Sequence, residues 1–127
     1  MLKQLKAFNF NLYLCCLFTY GCLLRPHREV RLLKWRDFNK ELTYVSVDGS
    51  RVKSKRNRIM PIPEFIRKEL RVGDSDDNVF SGRPIEFNDD YFKTLWSRFK
   101  KKHLEIGEQT TIYSFRHSGA IEIFKRT

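Results

Sequence analysis

The chain is poor in the residues on which special architectures depend. Its only cysteines are Cys15, Cys16 and Cys22. None forms a Cys-x-x-Cys pair and no histidine stands near them at ligand spacing, which argues against a metal site. Clustered in one apolar stretch, they read as buried, reduced thiols of a cytosolic protein. No internal repeat, low-complexity tract or interdomain linker breaks the 127 residues, so one domain is the natural expectation. A long apolar run is also lacking. Lys3 and Lys6 precede Phe8 to Leu24 in a way that mimics a signal peptide, but Asn9, Asn11, Thr19 and Tyr20 interrupt the stretch. No small-residue cleavage site follows, and the stretch is short and polar for a membrane span. Negative charge is scarce: 15 acidic residues face 25 lysines and arginines, for a net charge of +10. That excess is the footprint of a polyanion binder, although a merely soluble basic protein would share it. A hydrophobic content of 41% excludes disorder.

The apolar residues are patterned. Leu2, Leu5, Phe8, Leu12, Cys15 and Cys16 recur at helical spacing, which predicts one helix from Leu2 to Tyr20, closed by Gly21. Pro26 suits the first position of a second helix, with Val30, Leu33 and Trp35 on its buried side. Alternation of Val45 and Val47 with Tyr44, Ser46 and Asp48 predicts a strand, and Asp48-Gly49 a hairpin turn. Strands over Gly49 to Val52 and Arg58 to Ile62 complete an expected three-stranded antiparallel sheet with a basic tip at Lys53 to Arg58. A short helix over Glu64 to Val72, an acidic loop over Asp74 to Asn78, a helix from Asn88 to about His103 and a last helix over Ile112 to Phe124 follow. The class is therefore α+β, mainly helical with a small sheet.

Three segments carry chemistry. The first, Tyr20 to Val30, continuing to Leu33, Trp35 and Asp37, presents Arg25 beside an expected helix start, where free N–H groups and a guanidinium would together attract an anion. The second, Lys53 to Pro63, puts a lysine at a hairpin tip, able to donate a proton or simply to touch a phosphate backbone. The third, Tyr113-Ser114-Phe115-Arg116-His117, brings a phenol, a guanidinium and an imidazole to one helical side. For His117 alone, a satisfied core histidine is the simpler reading.

Taken in order, these segments resemble the three boxes of the tyrosine recombinase family, the integrases of phages and mobile elements. Arg25 to Asp37 resembles the first box, Lys53 the hairpin lysine, and Tyr113 to His117 the box usually written His-x-x-Arg-His. The resemblance covers nearly the whole chain. It implies that Arg25 and Arg116 clamp a DNA phosphate, with Lys53 as the proton donor and Tyr113, His117 and Glu29 in auxiliary places. Arg28, Lys55, Arg56 and Arg58 would touch DNA. No metal or other cofactor is implied. Double-stranded DNA and further recombinase protomers are the implied partners, in a cytoplasmic or nucleoid setting. Two departures stand out. Arg25 precedes Glu29 by four residues rather than three, which keeps Arg28 as a rival clamp. Tyr113 replaces a histidine, and a phenol is a poor base at neutral pH. The family's nucleophilic tyrosine lies roughly thirty residues after the second arginine, a spacing this chain does not reach because it ends eleven residues after Arg116. The expectation is thus a partial catalytic domain over residues 1–127, without the family's N-terminal DNA-binding domain or nucleophile. The alternative is a noncatalytic nucleic-acid-binding module derived from the same fold.

Overall fold

The computed structural model describes residues 2–47, 58–103 and 111–112. The expected first helix is two: α1 (Leu2–Phe8) and α2 (Phe10–Gly21). Asn9 divides them with extended backbone (φ −162°, ψ 120°), and its side chain accepts the Leu12 N–H at 3.0 Å. An asparagine amide competes well for the free N–H groups of a helix start, so it can bend a chain that apolar spacing alone would run straight. α2 is the central element. Leu12, Leu14, Cys15, Cys16, Leu17, Phe18 and Thr19 are all buried along it, and it packs against α1, the later helices and the segment after Pro26. The three cysteines are buried and unbonded to one another. Burial pushes the Cys22 thiol up to about 12 and holds Cys15 and Cys16 above the usual thiol range.

No regular helix follows Pro26. The N–H groups of Glu29 and Val30 both donate to the Arg25 carbonyl, at 3.0 and 2.9 Å. Two single-turn 3-10 segments come next, Val30–Leu32 and Trp35–Asp37. The reason is tertiary. The Arg31 carbonyl accepts from the Asn78 side chain at 2.8 Å, the Leu33 carbonyl from the Val79 N–H at 2.9 Å, and Trp35 donates its N–H to Asp77 at 3.2 Å. Groups a continuing helix would consume are spent on residues 77–79 instead, and the backbone of a buried segment must be satisfied somewhere. The expected core residues Val30, Leu33 and Trp35 are nonetheless buried.

Among the described residues the sheet has two antiparallel strands, β1 (Tyr44–Val47) and β2 (Arg58–Pro61), with Val47 opposite Arg58 and Tyr44 opposite Pro61. Val45 and Val47 point into the core, while Tyr44 and Ser46 face outward, the alternation a half-buried strand requires. The Asp48-Gly49 turn and the expected middle strand over Gly49 to Val52 lie outside the described residues. α3 (Glu64–Arg67) is one turn, shorter than expected. α4 (Tyr91–Lys102) buries Phe92, Trp96 and Phe99 at spacings of four and three, and ends in three lysines where the helix dipole favours cations. It begins at Tyr91 rather than at the expected Asn88, whose side chain accepts the Asp90 N–H, so Asp89 and Asp90 precede its first turn. Ile112 is buried; the remainder of the expected last helix lies outside the described residues.

Candidate functional site

Leu23, at φ 56°, turns the chain sharply after α2. Leu24 and Pro26 then enter the core, and Arg25 between them is left half-buried. Glu29 fixes this loop. Its carboxylate is fully buried. One oxygen accepts the Arg25 backbone N–H at 2.8 Å, and the other is paired with the Arg58 guanidinium at the start of β2. A buried carboxylate is tolerable only when its lone pairs are met by donors, and here a cation and an amide supply them. Residues 48–57 leave and re-enter the described structure at the cross-strand pair Val47–Arg58. Glu29 therefore joins the arginine loop to the base of the segment that carries Lys53.

The expected site residues separate into three groups. Arg25 and Arg28 keep their guanidiniums free of carboxylates among the described residues, with Arg28 exposed and Arg25 half-buried. Glu29 and Arg58 are brought together, so Arg58, expected to face DNA, has its guanidinium engaged by a buried acid and only 37% of its side chain exposed. Lys53, Lys55, Arg56, Tyr113, Arg116 and His117 lie outside the described residues. The other residues of the first segment are structural. Leu33 and Trp35 are core, and the Asp37 carboxylate accepts the Lys34 N–H at 2.9 Å.

Three roles were missed from the sequence. Arg31, one of the many basic residues behind the net charge, has a side chain only 11% exposed. It donates to the carbonyls of His27 (3.0 Å) and Phe87 (2.7 Å) and pairs with Asp89 at 2.8 Å. It fastens the arginine loop to the approach of α4. Asn78, assigned to an acidic loop, is fully buried. Its amide donates to the Arg31 carbonyl and accepts the N–H groups of Phe80 (2.8 Å) and Ser81 (3.1 Å). His27 is half-buried, and its pKa lies below the ordinary histidine value. Burial is the main cause, helped by Lys93 and Arg31 and opposed by Asp90. A buried asparagine leaves no periodic signal. An arginine that ties loops together looks in sequence like one that faces solvent.

The described residues hold no group of three or more histidine, cysteine or acidic side chains suited to a metal ion, and no helix among them is long and apolar enough to cross a membrane. Comparison with family models, with characterised proteins and with solved structures found no match.

Proposed function

We propose that this chain is the phosphate-gripping part of a tyrosine recombinase catalytic domain, acting on double-stranded DNA in the cytoplasm. The observation that carries the reading is Arg25. Its backbone N–H is held by the buried Glu29, while its guanidinium has no carboxylate partner among the described residues. An arginine positioned through its main chain and left with unspent donors is suited to a bidentate phosphate contact. Arg28, equally free of carboxylates among the described residues but exposed, has less to hold it in place. On this reading Arg25 and Arg116 bind the non-bridging oxygens of one phosphodiester. There they stabilise the charge that builds during in-line attack. Lys53, on a hairpin completed by a third strand, protonates the leaving 5′ oxygen. Tyr113 and His117 donate to the phosphate, and Lys55, Arg56 and Arg28 touch the backbone nearby. Glu29 and Arg58 hold the two halves of the site in register and do not touch DNA. Cleavage and rejoining belong to an assembly of protomers supplied with the nucleophilic tyrosine.

The test is a salt series. Fluorescence anisotropy with two duplexes of unrelated sequence should give similar affinities that fall at least about tenfold between roughly 50 and 200 mM salt. Affinity indifferent to salt would contradict a phosphate-dominated interface.

A further inference from the structure

A second basic feature lies away from Arg25. Phe8 and Asn9, at the break between α1 and α2, face Leu95, Arg98, Lys101 and Lys102 of α4 across an open groove of about 500 Å³. Arg98, Lys101 and Lys102 fall three and four residues apart, hence on one side of the helix. All three are exposed, and among the described residues no carboxylate lines the groove and none of the three has an ion-pair partner. The Lys102 ammonium rests over the Phe8 ring at 5.3 Å, within reach of a cation–π contact. Phe8 and Leu95 provide an apolar floor.

We propose that this groove docks an acidic peptide segment of a protein partner, with an aliphatic side chain seated between Phe8 and Leu95 and carboxylates against Arg98 and Lys101. Three observations favour this occupant. One face of the Phe8 ring is taken by Lys102 and the ring packs edge-on with Phe99 (centroids 5.6 Å apart), which leaves poor access for stacking a nucleic-acid base. Lys93 marks the side of α4 that neighbours His27 and the Arg25 loop. Lys102 follows nine residues later, about half a turn around the helix, and Arg98 lies about 140° around, so both are turned away from that loop, with Lys101 at the nearer edge of the groove, about 80° from Lys93. A second copy of the chain is disfavoured because each copy carries a net charge of +10.

The experiment uses the whole chain and a fluorescein-labelled Glu-Glu-Leu-Leu-Glu-Glu peptide as probe, with oligothymidylate in a parallel titration. The peptide should bind saturably. The double variant R98E/K101E should bind it at least about tenfold more weakly, since it reverses two exposed charges without touching the core. A peptide with serine in place of leucine should also bind about tenfold more weakly, because the apolar contact is then lost. Circular dichroism confirms that the variant is folded. Duplex binding should fall less in R98E/K101E than in Arg25→Ala, so failure here is distinguishable from failure of the DNA reading. Peptide binding unaffected by the charge reversal would overturn the proposal. So would saturable oligothymidylate binding that requires Arg98 and Lys101 while the peptide fails to bind, because the groove would then serve nucleic acid.

Discussion

The Arg58 guanidinium and the Glu29 carboxylate meet across 29 positions of sequence, and only one of the two is out of water: Glu29 is fully buried while Arg58 keeps 37% of its side chain exposed. Removing either partner should therefore have unequal effects. Arg58→Met leaves a buried carboxylate without its cation and should destabilise the fold by about 3 kcal/mol. Glu29→Gln leaves an arginine that can turn to solvent, at a cost of about 1 kcal/mol. Urea unfolding of the two variants checks the order; equal losses would mean the pair is not arranged as described.

Asn78 should be among the most sensitive polar positions. Asn78→Ala strips partners from the Arg31 carbonyl and from the Phe80 and Ser81 N–H groups at a site with no access to water. The expected loss is about 3 kcal/mol, read by urea unfolding. Asp76→Ala, which removes only an exposed pair with Arg36 at 3.5 Å, should cost less than about 0.5 kcal/mol.

His27 predicts an acid-side slope. Its folded-state pKa lies below the ordinary value near 6.5, chiefly through burial. The unfolded chain therefore takes up the proton first. The contribution of neutral His27 is present above about 6.5, declines as pH falls toward the folded-state value, and levels off below it. His27→Gln should flatten the stability–pH curve in that window, measured as thermal midpoint against pH. An unchanged slope would assign the acid sensitivity elsewhere.

These residues show which features could be read in advance. The α4 helix was legible because Asn88 and two aspartates stand before it and lysines fill its last turn; its buried face is Phe92, Trp96 and Phe99. The burial of Trp35, Val45 and Val47 and of the cysteines was equally visible from apolar context. The bend at Asn9 was not, since one amide outweighed the apolar periodicity around it. The helix expected at Pro26 failed because Asn78 and Val79 claim the carbonyls it needed, a competition between residues more than forty positions apart. Of the candidate site, Arg25 and Glu29 were singled out by their order along the chain. The attachment of Glu29 to Arg58, and the structural use of Arg31, depend on long-range contacts that spacing does not encode.

Leu23 and Leu24 offer a paired test of the loop that presents Arg25. Leu23 is 49% exposed with φ 56°, a conformation costly for a side chain with a Cβ, whereas Leu24 is fully buried. Leu23→Gly should change stability by no more than about 1 kcal/mol, because relief of strain offsets the added freedom of the unfolded chain. Leu24→Ala should cost about 3 kcal/mol through lost burial and the cavity left behind. Thermal unfolding distinguishes them, and a large loss for Leu23→Gly would contradict the strained turn.

The most direct test of the central claim compares two arginines. Arg25 keeps its guanidinium free of carboxylates among the described residues, whereas Arg36 is exposed and paired with Asp76. Duplex affinity of Arg25→Ala and Arg36→Ala should be measured by anisotropy at one moderate salt concentration, with both variants shown to be folded. The phosphate-clamp account predicts about a tenfold loss for Arg25→Ala and less than about twofold for Arg36→Ala. Equal effects, or no loss on removing Arg25, would contradict it.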